Sequence, residues 1–226
     1  MRLERQTRRS FAAAFWAASA WTLGTRSVSA QARAPRFQPA RHAQDAWLDV
    51  LPGKHRTIID GSTVAGAGTA LLYAYNLYAS NKSDYALAER DVAVVVCLRH
   101  SGTAFGFNDA MWAKYGKAMN ATVQLVDPNT KDTPKTNLFY AVDYGFALTN
   151  LGVTIESLVK QGTRFAICAM ATRGLAGSIA AETGSEVETV YKELVANTIP
   201  SSRMVAAGVL AVTRAQEYGY TLITPI

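Results

Sequence analysis

From residue 54 onward the chain alternates between two hydrophobic patterns. Short runs are apolar throughout, while longer stretches carry apolar residues every three or four positions. The first pattern fits strands and the second fits helices. Arg56-Thr-Ile-Ile-Asp60 is a short β-branched run and reads as a first strand. Leu71, Leu72, Tyr75, Tyr78 and Ala79 fall at helical spacing within 66–80. Asp91 to His100 is apolar between polar ends, the pattern of a central strand buried on both faces. A Gly-rich loop from Ser101 leads into a helical stretch over 108–119. A helix over 153–161 is ended by Gly162. A strand over 164–167 carries Cys168 at its end, and helices are predicted over 172–182 and 186–197. A short strand over 204–208, a helix over 209–217 and a last strand over 220–223 complete the pattern. Five strands alternating with helices predict a three-layer α/β/α fold around a mainly parallel five-stranded sheet.

Two segments stand outside this alternation. Residues 120–150 are polar and irregular and predict no element. Residues 33–53 hold three of the seven prolines and show no period, which predicts a linker or an arm across the surface of a domain spanning 54–226. Ahead of them, residues 1–32 read as a signal peptide. Arg8-Arg9 lies in a basic region, a short apolar run follows over 12–23, and Ala30-Gln-Ala32 offers small residues for cleavage. That layout is a secretory signal of the twin-arginine type, so the mature protein is expected in the periplasm, cut after about Ala32 and without a membrane anchor.

The signal changes the meaning of the charge. Its five arginines and one glutamate carry +4 of the chain's +6, leaving +2 on the mature chain. Nucleic-acid binding needs a basic face on the folded domain, and this charge does not supply one.

Ligands of open parallel sheets gather beyond the carboxyl ends of the strands. Lined up there are Asp60 after the first strand, Arg99 and His100 after the second, Cys168 and Met170 after the third, and Ala207-Gly208 after the fourth. Asn108 and Asp109 can fold over the same edge as binding groups, or simply cap the helix that follows them. A thiol at a strand end, next to a helix N-terminus, sits where a thiolate is stabilised; the alternative for Cys168 is a small buried hydrophobe. Cys97 and Cys168 lie at the ends of strands that can be neighbours, and an oxidising compartment permits a disulfide between them. Gly66-Ala-Gly68 lacks the spacing and the acidic ribose contact of a dinucleotide turn. His100, Cys168, Met170 and Asp60 are possible soft and borderline ligands, but no close-spaced His/Cys pair accompanies them. No G-x-S-x-G elbow is present. No cofactor or resident metal is therefore expected.

The Asp91–His100 strand, Asn108-Asp109-Ala-Met-Trp112-Ala-Lys114-Tyr115, Cys168-Ala-Met-Ala-Thr-Arg173-Gly174 and Arg214-Ala-Gln-Glu-Tyr-Gly219-Tyr220 together resemble the DsrE/DsrF-like family, in particular an exported subgroup. The likeness spans about 54–226. It implies an oligomeric α/β/α domain and, by analogy with the family's sulfur-relay members, a cysteine that carries sulfur as a persulfide, a role that falls on Cys168. His100 would then act as proton partner and Arg173 as the cation that holds the persulfide, with a sulfur donor or acceptor protein as partner. The alternative is a non-catalytic ligand-, metal- or haem-binding oligomer that uses the same strand-end pocket.

Overall fold

The computed structural model describes residues 37–225, and the expected signal segment lies outside them. A 3-10 turn (Ala43–Asp45), α1 (Trp47–Val50) and β1 (His55–Gly61) precede the long helix α2 (Val64–Tyr85). Next come β2 (Val92–Leu98), a 3-10 stretch over His100–Gly106, and α3 (Asp109–Val123). After the irregular segment come α4 (Ile155–Gln161), β3 (Arg164–Cys168), α5 (Ala169–Thr183) and α6 (Val187–Ala196). The chain closes with β4 (Ser202–Val205), α7 (Gly208–Glu217) and β5 (Thr221–Ile223). The five strands form one all-parallel sheet in the order β4-β3-β2-β1-β5. The fold is the expected three-layer α/β/α.

Every residue of β2 is buried, and successive side chains feed two separate cores. Val92, Val94, Val96 and Leu98 pack with residues of α2 to α6, among them Leu71, Trp112, Leu158 and Ile179. Ala93, Val95 and Cys97 pack on the other face with Leu48, Val212, Ala215, Tyr218 and Tyr220. Helix starts follow local chemistry. Thr63 Oγ1 accepts the Gly66 N–H at 2.8 Å, and Thr154 Oγ1 accepts the Ser157 N–H at 3.1 Å. Helix α4 stops at Gly162, whose φ of +104° is open to glycine.

The 120–150 segment is held by side chains rather than by a period. Asn137, buried, donates from Nδ2 to the carbonyls of Phe105 and Phe107 at 2.8 and 2.9 Å. The segment lies so close to α2 that a side chain at Gly68 would meet Thr149 and Phe139. Gly66-Ala-Gly68 thus lies in the first two turns of a helix pressed against a loop, with the Gly66 N–H taken by the Thr63 cap.

Three differences from the sequence expectation bear on the site and its surroundings. Helix α5 starts at Ala169, immediately after the strand, and β4 ends at Val205 because Gly208 already opens α7. The third difference is the arm, of which residues 39–53 belong to the domain. Leu48 is fully buried in the second core, and its carbonyl accepts from the Tyr220 hydroxyl at 2.9 Å and from Arg56 Nη1 at 3.3 Å. No helix among the described residues is long and apolar enough to cross a membrane.

Leu48→Ala should destabilise the protein by about 2–5 kcal/mol, the range for truncating a fully buried leucine. Urea unfolding read by circular dichroism measures it. A loss under about 0.5 kcal/mol would show that the arm is only a linker.

Candidate functional site

Strand register brings part of the expected edge together. Asp60 pairs with Cys97 and Cys97 with Ala166 across β1, β2 and β3, and Cys168 pairs with Val205. Because side chains alternate, Asp60, Cys97, Arg99 and Cys168 all belong to the face covered by α7. Arg99 closes the row: its Nε donates to Asp60 Oδ1 at 2.8 Å and its Nη2 to Oδ2 at 2.7 Å. The Asp60 side chain is 5 % exposed and that of Arg99 27 %. The hydrogen bond to Asp60 raises the Arg99 pKa further, against its partial burial, so the guanidinium stays charged. The side chain of Arg99 lies over Gly208, where any added Cβ would collide with it. That contact, not a turn, is why α7 begins on glycine.

Cys168 ends β3 and caps α5 in one residue. Its Sγ accepts the Ala171 N–H at 3.4 Å, and its carbonyl accepts from the Thr172 hydroxyl at 2.8 Å. Cys168 as a residue is 6 % exposed, against 0 % for Cys97. An amide already directed at the sulfur is a contact that strengthens when the sulfur carries negative charge. Cys97 is different in kind. It is fully buried, and its thiol donates to the Gly208 carbonyl at 3.6 Å. Burial pushes its pKa up to about 12, and the neighbouring Asp60 carboxylate adds to the rise.

Both cysteines are free. Cys168 lies two residues beyond the register partner of Cys97 on the adjacent strand. With strands about 4.8 Å apart and a rise of about 3.3 Å per residue, that offset puts the Cα atoms about 8 Å apart. A disulfide closes over about 7 Å at most, so the permitted bridge does not form without moving a strand.

The other expected site residues are distributed differently. Arg173 is exposed, pairs with Glu188 at 3.0 Å and lies 4.2 Å over the Tyr191 ring, so α6 holds it rather than the thiol. Arg99, the cation on the cysteines' face of the sheet, is itself held by Asp60 on β1. His100 is exposed, has a left-handed backbone with φ +51°, and its Nδ1 lies 3.4 Å from Ser101 Oγ. It lines a separate cleft of about 320 Å³ with Ala171, Gly174 and Ser178, a cleft that does not include Cys168. Met170 is 71 % exposed at the helix start. Asn108 caps α3 through the Met111 N–H at 3.3 Å and its own N–H donates to the Asn197 carbonyl. Asp109 Oδ1 accepts the Asn137 N–H at 2.9 Å. Both residues are structural ties between α3 and its neighbours, and neither reaches the thiol row. Among the described residues no group of three His, Cys, Asp or Glu side chains is placed to hold a metal ion. The sequence reading left Cys97 out of the site. The i, i+2 spacing of Cys97 and Arg99 is the one signal that puts them on a common face.

The Cys97 thiol has a consequence for stability. In the unfolded chain a thiol ionises near pH 8.5. Between about pH 9 and pH 12 the folded protein therefore keeps a proton that the unfolded chain has lost. Stability is complete below that window and falls as pH rises through it, by at most about 1.4 kcal/mol per pH unit. Tyr220, also raised to about 12 by burial, adds a parallel loss above about pH 10. Cys97→Ala should flatten the slope of unfolding free energy between pH 9 and pH 10, read as urea midpoints. An unchanged slope would contradict the buried, protonated thiol.

No family model, curated protein or solved structure matches the chain, so the reading of this site rests on its own geometry.

Proposed function

We propose that the protein is an exported sulfur carrier of the DsrE/DsrF-like kind, with Cys168 as the thiol that is loaded. The observation that carries the reading is the seat of Cys168: a strand-end thiol whose sulfur accepts a helix amide, on the same sheet face as the Arg99 guanidinium. Helix N-termini and neighbouring arginines are the two surroundings that favour a sulfur anion. The Cys168 thiolate attacks the outer sulfur of a donor persulfide. The S–S bond of the donor breaks, its inner sulfur leaves as a thiolate, and Cys168 ends as a persulfide. One sulfur atom moves, and no outside oxidant is consumed. The Ala171 amide then faces the charge of the product, with the Arg99–Asp60 pair on the same face of the sheet. Cys97, kept protonated in the core, takes no part.

On this reading the protein acts in the periplasm after removal of residues 1–32, assembles as a homo-oligomer, and exchanges sulfur with a second thiol protein. Arg173 is not required for loading, since it pairs with Glu188, and neither is His100, which lines a cleft that Cys168 does not.

Polysulfide treatment of the full chain followed by peptide mass analysis tests this. An adduct of one sulfur atom should form on Cys168 and vanish in Cys168→Ser, while Cys97→Ser keeps it. Arg173→Ala should load within about twofold of wild type. The paired change Asp60→Asn with Arg99→Gln avoids an orphaned buried charge and should slow loading about tenfold, equal to about 1.4 kcal/mol. An inert Cys168 in the folded wild-type protein would overturn the reading.

A further inference from the structure

The arm builds a cleft as well as closing a core. Between residues 42–47, the outer strand β4 and the first half of α7 lies a cavity of about 420 Å³. Small-molecule sites usually enclose about 300–1,000 Å³. Trp47, Val205, Leu210 and Ala211 supply its apolar lining, and His42, Asp45, Arg203 and Arg214 supply its titratable groups. The wall is fixed in place. The Tyr218 hydroxyl donates to the His42 carbonyl at 3.4 Å, the Tyr220 hydroxyl holds Leu48 just beyond Trp47, and Arg214 reaches Asp45 at 3.8 Å. Yet the apolar lining is not closed over, since Trp47 is only half-buried and Leu210 is 44 % exposed.

The charges of the cleft are unequal in their commitments. Arg214 is bound to Glu217 at 2.6 Å as well as to Asp45. Arg203 has no carboxylate partner among the described residues. Its Nη2 donates to the Gln44 carbonyl at 3.5 Å, and its guanidinium lies 5.9 Å over the Trp47 ring. A guanidinium backed by an aromatic ring, beside an open apolar wall, matches a ligand with an anionic head and an apolar body.

We propose that this cleft binds a small amphipathic organic anion, with its carboxylate or sulfonate on Arg203 and its apolar body between Trp47 and Leu210. The site is distinct from the thiol, which does not line it. Val205, which does, is the register partner of Cys168, so a bound ligand lies one strand from the sulfur. Binding does not depend on sulfur chemistry, and the two proposals fail separately.

Fluorescence titration of the full chain with anilinonaphthalene sulfonate, against its uncharged relative phenylnaphthylamine, tests the assignment. Wild type should show a saturable phase of one sulfonate per chain. Arg203→Glu should weaken that phase about tenfold or more while changing the uncharged probe less than about threefold, as expected for loss of a charge-assisted contact. Leu210→Glu should weaken both probes, and Cys168→Ser neither. Arg203 and Leu210 are exposed, so both variants should fold, and Arg203→Gln gives a milder second reading. A sulfonate affinity in Arg203→Glu and Arg203→Gln within about threefold of wild type, or no saturable phase in wild type, would overturn the proposal.

Discussion

The complete burial of β2 sets the terms for everything at the strand ends. With Val92 to Leu98 packed on both faces, no charged group can be accommodated along the strand, and the first one that follows it is Arg99. Asp60, one strand away and almost fully buried, is the complementary group. A carboxylate in that position is strongly destabilising unless its lone pairs are filled. The two parallel hydrogen bonds from Arg99 fill one on each oxygen, in the bidentate geometry that only a guanidinium supplies. Removing the arginine alone would leave a buried charge, at a cost of about 3–5 kcal/mol. The pair also fixes geometry beyond itself. It ties the end of β1 to the residue after β2, and the stem of Arg99 fills the space that Gly208 leaves open. Three chain segments are thereby locked around the two cysteines.

Much of this was legible in the sequence because it rests on periodicity. The unbroken apolar run before Arg99 marks a central parallel strand, and strand–helix alternation gives the layers. Cys168 at a strand end follows from the same reasoning. What stayed hidden depends on contacts between distant residues. Leu48 is held by Tyr220, 172 residues later in the chain, and nothing near Leu48 announces it. The 120–150 segment is fixed by one asparagine reaching backbone carbonyls, which leaves no period to detect. Arg173 shows the limit of spacing arguments. Five residues after Cys168 is not a facing position on a helix, and Glu188 and Tyr191 on α6 offer Arg173 an ion pair and a ring face together. Arg99 was visible as an edge residue. Its place on the same face as Cys168 required the register of β2 against β3.

The two thiols show how one sheet face can hold two chemistries. They belong to adjacent strands and differ by two residues of register. Cys97 is inside the sheet, where burial disfavours an anion and the Asp60 carboxylate outweighs the Arg99 guanidinium. Its proton is therefore held strongly, and its only polar contact is a weak donation to a carbonyl. Cys168 is at the sheet boundary, where the strand has run out of partners on one side and a helix has begun. There the same atom accepts a hydrogen bond instead of giving one. The reversal follows from chain geometry: an N-cap side chain faces the unpaired amides of its own helix, and a mid-strand side chain faces whatever the next layer presents. A protein that must keep one thiol inert and present another can do so with no extra element, by moving the second cysteine to the strand end. The diagonal offset that follows also keeps the two sulfurs from closing on each other.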